Sequence, residues 1–200
     1  MNPEFWDTRY RDNPSAYGDK PNDYLAQKSY LFKPGMKILA VGEGEGRNAL
    51  WLSEKKYEVW MVDYSKVGLN KASMEAKRKN LNLKLICADL AMWHWPVDYF
   101  DAVLAIFLHL PPAIRSQVHC SMLQSLKSGG IIIMQLFHTD QLKYGTAGPK
   151  SPEMLYTADM LQQDFQNAQI LDLEETVLEL NEGLFHTGAA AVINLTLQKN

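Results

Sequence analysis

Residues 38–65 constrain the fold more than any other stretch of the chain. Ile38 to Val41 is a short apolar run, suited to a strand covered on both faces. Gly42, Gly44 and Gly46 follow at two-residue spacing, which predicts a turn whose backbone approaches a ligand closely. A helix over 48–56 leads into a second buried strand, Val59 to Val62, closed by Asp63. An acid at that point is placed to accept both hydroxyls of a ribose.

The chemistry of the loop separates two cofactor classes. Dinucleotide sites want a third glycine and no negative charge, because a pyrophosphate lies over the helix N-terminus. Here Arg47 stands at that third position and Glu43 and Glu45 would repel a diphosphate, which disfavours a nicotinamide oxidoreductase. S-adenosylmethionine carries a ribose, an ammonium and a sulfonium but no phosphate, so acids beside the glycines are compatible with it. Both glutamates can equally point to solvent, the usual state of such residues.

The segments Gly-Glu-Gly-Glu-Gly-Arg-Asn-Ala at 42–49, Asp-Tyr-Ser-x-x-Gly-Leu at 63–69 and Ala-Asp-Leu at 88–90 resemble class I S-adenosylmethionine-dependent methyltransferases. Within that superfamily the chain is similar to the small tellurite-resistance and thiopurine (thiol) methyltransferase-like group. The resemblance implies an α/β fold, a Rossmann-like seven-stranded mixed sheet, mostly parallel, with an antiparallel C-terminal hairpin and helices on both faces. It implies S-adenosyl-L-methionine as cofactor and S-adenosyl-L-homocysteine as product. Cofactor contacts are expected from Gly42, Glu43, Gly44, Gly46, Arg47 and Asn48 in the loop, and from Asp63, Tyr64 and Ser65 after the second strand. Asp89 would accept the adenine amine, with the backbone of Leu90 against the ring. Two departures stand out: Ala40 replaces the acid many members carry before the glycines, and Glu43 stands where cysteine is common. The contact to the methionine amine is thereby assigned to Glu43.

Two hundred residues, 46% of them hydrophobic, fill one α/β domain, read here as a lid segment over 1–30 and a core over 36–200. Little length remains for a module that reads DNA, RNA or protein, which favours a small-molecule methyl acceptor. The formal charge is −3 with both signs dispersed, and Lys77-Arg78-Lys79 reads as a solvated helix face, so no nucleic-acid footprint is expected. No apolar run suggests a signal sequence or a membrane span, and a cytoplasmic monomer or homodimer is expected. Cys87 and Cys120 lack metal-ligand spacing and read as buried, reduced thiols.

Aromatic residues crowd the first thirty positions. Trp6 and Tyr10 share a face if residues 3–11 are helical. In the resembling family this region folds over cofactor and acceptor, which would bring Tyr17 to the cofactor; packing of the helix on the sheet is the plainer alternative. Trp93 and Trp95 could wall an adenine or simply pack. A fourth strand over 100–107 ends at Phe107, where open α/β sheets bind ligands. His109 just beyond it could orient an acceptor, take a proton near neutral pH, or serve structure alone. Leu110-Pro-Pro-Ala113 lacks the flanks of the amino-methylating motif and more simply begins a helix. The loop over 138–157 is too long for a mere connector. Tyr144-Gly-Thr-Ala-Gly-Pro-Lys150 within it is similar to a segment of some family members, so His138, Tyr144 and Lys150 are expected on the acceptor side, Lys150 against an anion. His186, in the terminal hairpin, could reach the same place. The expected function is methyl transfer to a thiol, sulfide or chalcogen compound. The alternatives are O- or N-methylation of a small metabolite and cofactor binding without turnover.

Overall fold

The computed structural model describes residues 3–145 and 147–200; Thr146, part of the motif read at 144–150, lies outside them. Seven strands form one sheet in the order β3-β2-β1-β4-β5-β7-β6. The first five are β1 (Lys37–Val41), β2 (Glu58–Asp63), β3 (Leu83–Cys87), β4 (Phe100–Ile106) and β5 (Leu126–Phe137), paired in parallel. β6 (Ala168–Asn181) and β7 (Thr187–Lys199) form the antiparallel hairpin, with β7 pairing against β5. The central strands are apolar on both faces because helices cover both, as parallel sheets require.

On one face, α2 (Asp23–Lys28), α3 (Arg47–Glu54) and α4 (Lys66–Arg78) bury Leu25, Leu52, Leu69 and Ala72 against Ile38, Met61, Leu104 and Ile133. On the other, α5 (Pro112–Ser125) and α6 (Ala158–Asp164) contribute Val118, Met122 and Leu161. Burial of a Leu or Met side chain stabilises by about 1.5–3 kcal/mol, so these two layers fix the strand ends firmly.

The first helix, α1 (Pro3–Asp12), begins with proline at a position where the missing N–H costs nothing. It is tied down beside α4. Asp7 accepts hydrogen bonds from the Ser65 hydroxyl and, at 3.1 Å, from the Val67 amide. Lys71 donates to the carbonyls of Tyr10 and Asn13 and pairs with Glu45 at 2.8 Å. Glu45, a candidate for solvent, instead accepts from the amides of Ser15 and Ala16. The N-terminal segment therefore lies across the C-terminal ends of the strands.

α5 ends at Ser125 and strand pairing begins at once at Leu126, which pairs with Phe100 before the register slips at a bulge. One expectation changes: both cysteines are exposed rather than buried. Cys87 ends the edge strand β3, and Cys120 is exposed on α5.

Candidate active site

The ends of β1, β2, β3 and β4 open into a cavity. Gly42, Glu43, Arg47 and Asn48 line it from the loop after β1; Asp63 and Tyr64 line it from the end of β2. Ala88, Asp89 and Leu90 follow from β3, and Phe107 to Leu110 from β4. Trp6, Tyr10 and Tyr17 close it from the N-terminal segment, and His186 reaches it from the hairpin.

Asp63 is held rigidly. One carboxylate oxygen accepts from the Gly44 amide at 2.7 Å and the other from the Ser65 amide at 2.7 Å. Burial pushes its pKa up, against these backbone bonds, which favour the anion. Each oxygen keeps a second lone pair for a ligand hydroxyl. Asp89 is oriented similarly by the Ala91 amide at 2.9 Å.

Glu43 is buried at the start of α3, accepting from Asn48 Nδ2 at 3.0 Å and the Ala49 amide at 3.2 Å. Burial raises its pKa to about 7, although both hydrogen bonds and the charge of Arg47 oppose the shift. It is thus a carboxyl group poised to ionise when a cation arrives. Arg47 has a different occupation: its guanidinium pairs with Glu182 of the hairpin at 2.7 Å, with side-chain exposures of only 9% and 11%. Asn48 accepts from the Asn22 amide at 2.8 Å.

Not every glycine serves a ligand. A Cβ on Gly44 would lie 2.1 Å from the Tyr10 hydroxyl, so this residue, at φ +58°, makes room for the chain's own lid. Gly44, Gly46 and Ser65 shape the loop and do not line the cavity. Ser65 caps α4 through a 3.0 Å bond from the Gly68 amide.

Beyond β4 the wall is aromatic. Phe107 has φ +52°, a sparsely populated conformation for a bulky residue, and stacks on Phe137 at 4.5 Å. His186 packs 4.5 Å from the rings of both Tyr17 and Phe107. Burial lowers its pKa while the nearby Glu182, at 3.4 Å from Nδ1, opposes that. His109 stacks on Phe137 at 5.7 Å.

The structure does not bring His138, Tyr144 or Lys150 to this cavity. His138 turns to the far side of the hairpin, where Nδ1 accepts from the Asp140 amide at 3.1 Å and Nε2 lies 3.5 Å from Glu175. Its backbone is fixed between Ala191 and Tyr156, so it continues the strand pairing while His109 leaves it. Tyr144 is exposed, and Lys150 donates to the Gly145 carbonyl at 3.0 Å on the surface. Trp93 and Trp95 pack against the core outside the cavity; the indole in the wall is Trp6. Sequence reasoning placed Trp6 and Tyr10 on one helix face but gave no target for that face. The bonds that tie Glu182 to Arg47 and to Asn22 carried no signal, because those residues lie more than a hundred positions away from it.

Residues 38–130 match a protein family described as a methyltransferase domain. A protein-L-isoaspartate O-methyltransferase of Cytophaga hutchinsonii is 26% identical over 136 residues, covering 65% of this chain and 59% of its own length. The chain thus spans about 59% of the length of the curated relative it matches. Among solved structures, one described by the conversion of a disulfide bond into a thioacetal group during echinomycin biosynthesis aligns with TM-score 0.78 at 19% identity, covering 98% of this chain and 91% of that one. TehB from Haemophilus influenzae aligns with TM-score 0.74 at 18% identity, covering 90% of this chain and 62% of its own. These likenesses carry the fold.

S-adenosylmethionine is the cofactor of this class of domain, and the cavity's donor set suits it. Asp63 and Asp89, each held by backbone amides at the ends of β2 and β3, could accept a ribose and an adenine amine, and the buried Glu43 carboxyl group could receive an ammonium. The guanidinium that could draw a diphosphate, Arg47, is consumed by Glu182. Among the described residues no helix is long and apolar enough to cross a membrane, and no cluster has metal-ligand composition.

Proposed function

We propose that the chain transfers the methyl group of S-adenosylmethionine to a small soft nucleophile, a thiol, sulfide or chalcogen compound. The cofactor supplies an activated methyl on a good leaving group. The protein aligns the acceptor and excludes water, and alignment alone can lower a barrier by about 7–11 kcal/mol. The observation that carries the reading is the lining of the cavity beyond β4. Phe107, Leu110, Ile114, Tyr17 and two histidines of lowered pKa form a weakly polar wall. The cations beside it, Arg47 and Arg9, are already engaged by Glu182 and the Tyr17 hydroxyl. Such a wall suits a polarisable sulfur better than a strongly hydrated amine or carboxylate. One structure of like fold is described by the conversion of a disulfide bond into a thioacetal group, which is sulfur chemistry.

Labelled methyl transfer to thiols, sulfide, selenite, tellurite, carboxylates and amines tests this. Label confined to the sulfur and chalcogen compounds is the expected result. Preferential labelling of carboxylates would favour O-methylation, the activity named for the curated relative, and would displace the thiol reading.

Glu43 makes cofactor affinity pH-dependent. In the free protein its raised pKa keeps it largely protonated below about 7. An ammonium beside it favours the anion, so binding below that pH must expel a proton. The dissociation constant of S-adenosylmethionine should weaken by up to about tenfold per pH unit below 7 and level off above it. Calorimetry across pH 5–8 measures this slope; its persistence in Glu43→Gln would assign the proton to another group.

A further inference from the structure

His109 lines the cavity at the end of β4, yet its Nδ1 is fully covered and, among the described residues, has no hydrogen-bond partner. The other ring nitrogen, Nε2, is therefore the polar atom that His109 can present to an acceptor. A neutral imidazole holds one proton and one lone pair; as a base it would end with N–H on both nitrogens. The new N–H at Nδ1 would then be a buried donor without an acceptor, at a cost of about 1–3 kcal/mol and more for a charged ring. Among the described residues no acceptor or carboxylate at the ring repays this. Phe137 covers one face. The charged or titratable groups acting on it are His186 from the hairpin and Arg9 from α1, both of which oppose a positive ring. Glu182, the carboxylate beside His186, is bound to Arg47 and to His186 itself.

We propose that His109 donates a hydrogen bond to the methyl acceptor and does not act as its base, so the site selects nucleophiles that ionise without help. This rests on the methyltransferase reading above. A thiol, with pKa near ~8.5, loses its proton to water and reaches the site as a thiolate; an aliphatic alcohol does not. The thiolate forms a bond to the methyl carbon as that carbon's bond to the sulfonium breaks, and the electron pair stays on the departing thioether. Nε2–H then steadies the sulfur anion in a weakly polar wall without neutralising it. Burial, with Arg9 and His186 adding, holds the ring's pKa down at about 3, which agrees with this assignment.

The first test needs no turnover. Histidine-labelled protein with S-adenosylhomocysteine is titrated from pH 5 to 8 by nitrogen-detected NMR. His109 should stay neutral with its proton on Nε2; a midpoint above pH 6, or a proton on Nδ1, overturns the proposal. The second test is a pH–rate profile with two thiols of different acidity. The rising limb should move with the thiol's own pKa, and a limb fixed at one pH for both would mark a base on the protein. His109→Gln, which keeps a donor, should retain kcat within about threefold, while His109→Ala should lose at least about tenfold. Equal losses in both, or alcohols turned over as fast as thiols, would overturn the donor role. If no sulfur or chalcogen compound in the panel is methylated, the thiol reading fails, and the titration still decides what His109 can do.

Discussion

Asp63→Ala is expected to weaken S-adenosylmethionine and S-adenosylhomocysteine binding by about 10²–10⁴-fold, the loss of two hydrogen bonds to a charged acceptor worth about 1.5–3 kcal/mol each. The carboxylate is fixed by the amides of Gly44 and Ser65, one to each oxygen at 2.7 Å, so both free lone pairs point in set directions before any ligand arrives. Binding to a preorganised acceptor forfeits little entropy, which is why one residue can carry so much. The same two amides are left unpaired in the alanine variant. Some stability should therefore be lost as well, and affinity must be measured where the variant is still folded by circular dichroism. Asp63→Asn separates the two effects, since it retains one acceptor oxygen for the backbone while removing the charge and turning an amino group toward Gly44 or Ser65. Isothermal titration of all three proteins decides the matter: affinity within about threefold of the parent in the folded alanine variant would remove Asp63 from the cofactor's contacts.

What could be read from the chain was local. Ile38 to Asp63 announces strand, turn, helix and strand because each element's signal lies within a few residues: an apolar run, three glycines, an acid. Ser65 announces a helix cap for the same reason, and the structure has it accept from Gly68. The histidines show where such reading stops. His109 and His138 each follow the end of a sheet strand and an aromatic residue, and the sequence offers no distinction between them. The difference arises because Phe107 takes a left-handed backbone conformation and leaves the sheet, whereas His138 continues its pairing with Ala191 and Tyr156. Likewise Tyr10 could be placed on a helix face, but its contact with Gly44 requires α1 to dock on α4 through Asp7 and Lys71. Those are tertiary facts, carried by single polar pairs and not by any periodicity.

The largest such pair is Arg47 with Glu182, and Glu182→Ala is expected to destabilise the protein by about 3–5 kcal/mol, because it leaves a buried cation without its counter-charge. Glu182 sits in the turn between β6 and β7 and serves three elements at once. It takes the guanidinium at the start of α3 at 2.7 Å, accepts from Asn22 Nδ2 at 2.9 Å at the start of α2, and faces His186 Nδ1 at 3.4 Å. Asn22 in turn donates to Gln135 of β5 at 2.6 Å, and Gln135 to Asn194 of β7 at 2.8 Å. Removing one carboxylate thus unpairs donors in the glycine loop, the N-terminal segment and the hairpin. With a urea dependence of about 2 kcal/mol/M, the unfolding midpoint should fall by roughly 2 M. Burial alone would raise the pKa of Glu182, but His186 and Arg47 outweigh it and bring it down to about 2. Its contribution is therefore complete above the ordinary glutamate range and fades as the pH drops from about 4.5 toward 2. In that window the parent and the alanine variant should converge in stability. The pair's replacement by apolar residues, Arg47→Met with Glu182→Leu, should recover much of the loss, since the penalty lies in the stranded charge more than in the missing bond. A midpoint for Glu182→Ala within about 0.5 M of the parent would mean that water reaches Arg47 and that the hairpin is not pinned through this residue.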